Sequence, residues 1–165
     1  MINRTALLLA LAIITAPAFF PHPATAADIT PGKNSAFASK VDQTPLPQYS
    51  NTPLVSATIS QGRSKRVLSI HATLNIRGPG TFVPGIAPTV NGTGAEMVRV
   101  SSDCSQQADC SLSGNWYFDV DAAEAANPGQ FIGQPLIVNL LGGEISSTSP
   151  VVPWDISLSV LMVKK

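Results

Sequence analysis

From Arg66 onward the chain alternates with few exceptions. Leu68, Ile70, Ala72, Leu74 and Ile76 fall at every second position, with Ser69, His71, Thr73 and Asn75 between them. Successive side chains of a strand project to opposite faces, so this spacing predicts a strand with one buried and one wet face. The same period recurs in Val55, Ala57 and Ile59, in Trp116, Phe118 and Val120, in Leu136, Val138 and Leu140, and from Trp154 through Ile156, Leu158 and Val160 to Met162. Turn-forming residues separate these runs: Gln61 to Lys65, Gly78-Pro79-Gly80, Pro84-Gly85 and Pro88. Asn91-Gly92 suits the positive φ angles of a two-residue hairpin turn and predicts that 87–90 pairs with 96–101.

One segment departs from this period. Ala122, Ala123, Ala125 and Ala126 favour helix, and Asn127-Pro128-Gly129 ends it. Asp121 as the capping residue, with Glu124 reaching back to it, supplies the capping-box pattern. About two turns of helix then carry the chain from one sheet to the other. Short strands, Pro/Gly turns and one short helix predict an all-β fold, an antiparallel β-sandwich of immunoglobulin-like or jelly-roll type. The alternation argues against a parallel sheet covered on both faces.

The N-terminal region has a different texture. Arg4 precedes an apolar run over 6–16, prolines follow at 17, 21 and 23, and Ala24-Thr25-Ala26 gives the small-x-small pattern of a cleavage site. Residues 1–26 therefore read as a secretory signal peptide cut after Ala26, which predicts a secreted or periplasmic protein. The run is too short for a transmembrane anchor, which needs about 20 apolar residues. Residues 27–53, rich in Pro, Ser, Thr and Asn, read as a flexible arm, and 54–165 as the β-sandwich domain.

Composition narrows the function. Only 12% of the 165 residues are charged, and 10 basic side chains balance 10 acidic ones. A neutral, charge-poor chain lacks the excess of Lys and Arg that neutralises a phosphate backbone, so nucleic acid is not an expected partner. In an exported chain the only two cysteines, Cys104 and Cys110, are expected to pair. Loop-closure entropy gives a bridge of this span a stabilisation of about 2.4 kcal/mol. The spacing lacks the C-x-x-C of a redox site, and the short separation differs from the inter-sheet bridge of immunoglobulin domains.

Few residues invite chemistry. His71 has Ser69 and Thr73 two positions away on its own strand, about 6.7 Å off, so a Ser–His pair needs a serine from an adjacent strand. Asp119, Asp121 and Glu124 form the densest acidic group, which could supply a weak Ca2+ site or a glycosidase carboxylate pair. Helix capping explains Asp121 and Glu124 without either. Arg63, Lys65 and Arg66 gather at a predicted hairpin turn where they can meet an anionic ligand or simply solvate the loop. Trp116 and Trp154 fall on apolar strand faces, which leaves Tyr117 as the ring best placed to stack on a sugar. Asn91-Gly92-Thr93 matches a glycosylation acceptor, although the hairpin alone accounts for Asn91-Gly92.

These features predict a non-enzymatic exported module, without cofactor, that acts as a binding or structural element of the cell envelope or extracellular space, with a glycan or an envelope protein as candidate partner. Two alternatives follow from the acidic group: a small secreted glycan hydrolase and a calcium-dependent carbohydrate-binding domain. Strand addition at 27–53 or 154–163 is a third route to a partner.

Overall fold

The computed structural model describes residues 27–28, 33–41, 53–77, 84–102, 109–144 and 152–165. The expected signal peptide and Cys104 lie outside these residues.

The strands are β1 (Ala27–Asp28), β2 (Ser35–Lys40), β3 (Pro53–Ile59), β4 (Arg66–Arg77), β5 (Pro84–Val90), β6 (Thr93–Gly94), β7 (Glu96–Ser102), β8 (Asp109–Asp119), β9 (Leu136–Glu144) and β10 (Val152–Lys164). One helix, α1 (Val120–Ala126), lies between β8 and β9. Two antiparallel sheets result. The larger has the order β1-β2-β10-β4-β8-β7, and the smaller β3-β9-β5-β6. The all-β fold with one short helix is therefore observed, and α1 does carry the chain between sheets.

The period-2 pattern explains the core. Leu68, Ile70, Ala72, Leu74 and Ile76 of β4 are fully buried, as are Ile156 and Leu158 of its neighbour β10. Val138 and Leu140 of β9 meet them from the other sheet in a single cluster. Burying one such side chain contributes roughly 1.5–3 kcal/mol, so the shared inner faces are the main source of stability.

Three expectations about connectivity are corrected. Residues 35–40, within the stretch expected to be a flexible arm, form β2, which pairs with β10 and buries Ala36 and Ala38. The stretch has too few large apolar side chains to show its period, but two alanines suffice against an existing sheet. The 61–65 turn joins β3 to β4 in different sheets, so it is a crossover and not a hairpin. Asn91 and Gly92 do take positive φ values of 47° and 86°, yet β5 meets only the two-residue β6. Beyond Gly94 the chain leaves the smaller sheet, and β7 pairs with β8 instead.

Asn91 also ties the hairpin down. Its Nδ2 donates to the carbonyls of Gln130 (2.9 Å) and Pro135 (3.1 Å), and its Oδ1 accepts from the Ile137 amide (2.8 Å). These bonds give the side chain a structural role. The same loop docks on Gly62, whose N–H donates to Gln134 O (2.7 Å) while its carbonyl accepts from Gly133 N (2.9 Å). An added β-carbon on Gly62 would stand 2.0 Å from the Phe131 carbonyl oxygen, a backbone atom that cannot turn aside.

Candidate functional site

The sequence-predicted acidic residues sit at one end of the larger sheet, where β8 runs into α1. Asp119, not Asp121, caps the helix: its Oδ1 accepts from the amides of Asp121 (3.0 Å) and Ala122 (3.1 Å). The helix begins earlier than its alanines suggest because Val120 can be buried as its first residue. Lys165 Nζ bridges Asp119 (2.6 Å) and Asp121 (3.1 Å). The Asp121 carboxylate accepts from the backbone N–H of Lys65 at 3.0–3.1 Å, and Tyr117 Oη donates to Asp119 (3.2 Å). This network joins the β3–β4 crossover, the helix start and the last residue of the chain.

Glu124 turns the other way. It does not reach back to the helix start but accepts from the amides of Gly129, Phe131 (2.9 Å) and Ile132 (3.0 Å), closing the loop that follows the helix. The three candidate carboxylates therefore do not converge. Among the described residues no group of three or more His, Cys, Asp or Glu is arranged to hold a metal ion. Hydrogen bonds from the Ile132, Gly129 and Phe131 amides hold Glu124 below the usual carboxylate range. The Lys165 ammonium, with the helix amides, does the same for Asp119. A general acid for glycoside cleavage needs the opposite shift.

The basic residues also have local roles. Lys65 takes φ 55° in the crossover, Arg66 opens β4 in register with Lys164, and Lys65 O accepts from the Lys165 amide (3.2 Å). Arg63 is half-buried beside them. Cys110 is buried on β8 in register with Ile76. Trp116 is buried, as expected.

Strand register then assembles a surface that no single segment reveals. On the outward face of the larger sheet, Ser39 of β2 lies opposite Ser157 of β10, Ser157 opposite Thr73 of β4, Thr73 opposite Ser113 of β8, and Ser113 opposite Ser101 of β7. Five hydroxyl side chains thus cross five strands in one line, with neighbours about 4.8 Å apart. Ser101 and Ser113 hydroxyls are 2.9 Å apart and hydrogen-bonded. The next row reads Phe37, Ser159, His71, Asn115 and Arg99, and the one beyond it Ser35, Leu161, Ser69, Tyr117 and Glu96.

His71 belongs to this face. Its Nδ1 donates to Asn115 Oδ1 (3.0 Å), which turns the ring toward β8. Register does bring an adjacent-strand serine, Ser159, beside it on β10. Both are exposed. Charge flanks the row on both sides: Asp155, two residues from Ser157 on the interior strand β10, accepts from Asn75 Nδ2 (3.1 Å), and Arg99 and Glu96 lie on the edge strand. The sequence makes the polar face of each strand visible, but the row exists only once β10 is inserted between β2 and β4.

Compared with known proteins, the chain has no significant match to any family model, curated protein or solved structure.

Proposed function

We propose that this protein is an exported, non-enzymatic β-sandwich of jelly-roll type that binds a neutral, hydroxyl-rich glycan on the outer face of its larger sheet. The observation that carries this reading is the transverse row Ser39–Ser157–Thr73–Ser113–Ser101, five neutral hydroxyls side by side across five strands. Each hydroxyl offers one donor and two acceptor lone pairs and re-aims by rotation, which matches the mixed donors and acceptors of sugar hydroxyls. The strand spacing is comparable to the length of a sugar ring. His71 adds ring surface in the adjacent row and Tyr117 in the one beyond it. No member of the row is ionised, so covering the row itself requires no ion to be desolvated.

The jelly-roll topology is favoured over the immunoglobulin type by nested pairing. β2 pairs with β10, β3 with β9, β4 with β8 and β5 with β6, as in one long hairpin folded over itself. Export rests on the sequence pattern of residues 1–26, cut after Ala26, and agrees with a Cys104–Cys110 bridge that would pin the segment between β7 and β8. Among the described residues no helix is long and apolar enough to cross a membrane. Envelope or extracellular space is the site of action in this reading, and the carboxylates of Asp119, Asp121 and Glu124 are structural.

Retention on insoluble cellulose, chitin and xylan tests the ligand class. The protein should be retained by at least one of them, and Thr73→Lys should weaken retention by about tenfold or more, equivalent to 1.4 kcal/mol. No retention on any, or equal retention of the variant, would contradict the reading.

A further inference from the structure

The far edge of the larger sheet carries its own message. β7 is the last strand in the order, bonded to β8 on one side, and among the described residues no strand pairs with its other side. Met97 is 68% exposed, Val98 69% and Val100 38%, three apolar side chains within four residues of an edge. Natural edges are usually blunted by charged side chains (Lys above all), Pro or a bulge. β7 (EMVRVSS) has neither Lys nor Pro, and its one bulge and its two charges of opposite sign leave Met97, Val98 and Val100 exposed. Exposed apolar clusters on an unpaired edge mark association sites.

The pattern of charge in the strand selects the occupant. The register of β7 against β8 slips between Met97 and Arg99, so that Glu96 stands opposite Tyr117 and Arg99 opposite Asn115. Both partners belong to the outward face, and the bulge therefore puts Glu96 and Arg99 on that same face although they are three residues apart. An antiparallel strand that sets its own Arg99 opposite Glu96 is β7 itself, turned about a two-fold axis through the middle of the Met97–Val98 pair. Symmetry repeats the Glu96–Arg99 pair, and Met97 then meets Val98 of the partner subunit twice.

We propose that the protein forms a two-fold dimer by antiparallel pairing of β7 with β7 of a second copy. Directly opposed residues of an antiparallel pair share a face. The two larger sheets then become one continuous sheet, and their hydroxyl rows lie on the same side of it. This inference stands on the edge strand and does not depend on the glycan reading. If both hold, the dimer presents two binding faces to one polymer.

Sedimentation velocity of the purified protein across its soluble concentration range tests the dimer, with circular dichroism to verify folding. The wild type should sediment as a dimer at high concentration. Glu96→Arg, which sets like charges across the axis, should shift it to monomer, and adding Arg99→Glu to that variant should restore the dimer. Val98→Lys, at a solvent-exposed site, should also give a folded monomer. A wild type that stays monomeric throughout overturns the proposal. So does a dimer that persists in Glu96→Arg and Val98→Lys, because its interface must then lie elsewhere.

Discussion

The indole of Trp116 occupies the space above Gly114: a β-carbon built at 114 would stand 2.1 Å from its Cη2 atom. The two residues are neighbours on the inner face of β8, where Gly114 lies opposite Ala72 and Val100. Only a residue without a side chain lets the ring lie back along its own strand. Gly114→Ala should therefore destabilise the fold by about 1–3 kcal/mol, the usual cost of overpacking a core. Trp116→Leu should remove most of that added penalty, so a double-mutant cycle on urea midpoints should show strong coupling. Additive effects would mean that the ring moves aside without cost.

Asn91→Ala should be costly for a surface turn. The substitution removes three hydrogen bonds to the 130–137 segment and replaces Asn, which tolerates the left-handed region, by Ala at φ 47°. Leaving backbone partners unsatisfied costs about 1–3 kcal/mol. Hydrogen exchange should quicken at Ile137, whose amide loses its acceptor. Unchanged exchange there would show that water replaces the side chain fully.

The pH dependence follows from the end network. Asp119 and Glu124 have folded pKa values below their unfolded ones, near 3.9 and 4.3 for unperturbed groups. Their contribution is present above the unfolded values and is lost as pH falls through the folded ones. Hydrogen bonding to Asp119 raises Lys165, so its contribution is full below about 10.4 and is lost as pH rises through the folded value. Stability should form a plateau between these limits. Glu124→Gln should lower the plateau and flatten the acid limb, as measured by urea midpoints against pH. An acid limb identical to wild type would show that Glu124 carries no linked proton.

Much of this fold was legible from alternation, and its failures have common physical causes. β4, β8, β9 and β10 are long enough for large apolar residues to display a period of two. β2 is not, because Ala36 and Ala38 bury little area and gain stability only from a neighbour remote in sequence. Glu124 looked like a capping partner since only its spacing from Asp121 was visible, whereas its amide donors come from a loop whose path depends on Phe131 filling the core beside Phe118. The hydroxyl row was hidden for a related reason. Ser69 and Thr73 are evident as polar-face residues, but which hydroxyls stand beside them is set by register, and register is a long-range property.

Reduction offers a check on the segment between β7 and β8. If Cys104 and Cys110 pair, the intact mass should be two hydrogens lighter than the reduced chain. Reduction should then lower stability by about 2 kcal/mol, as loop-closure entropy predicts. An unchanged mass on reduction would rule the bridge out.

The most direct measurement of the central claim is a two-dimensional amide NMR titration with a soluble oligosaccharide of whichever polysaccharide retains the protein. The binding account predicts shift changes centred on Ser39, Thr73, Ser101, Ser113 and Ser157, spreading to His71 and Tyr117. Changes confined to the Asp119–Glu124 end, or no change with any neutral oligosaccharide, would contradict it.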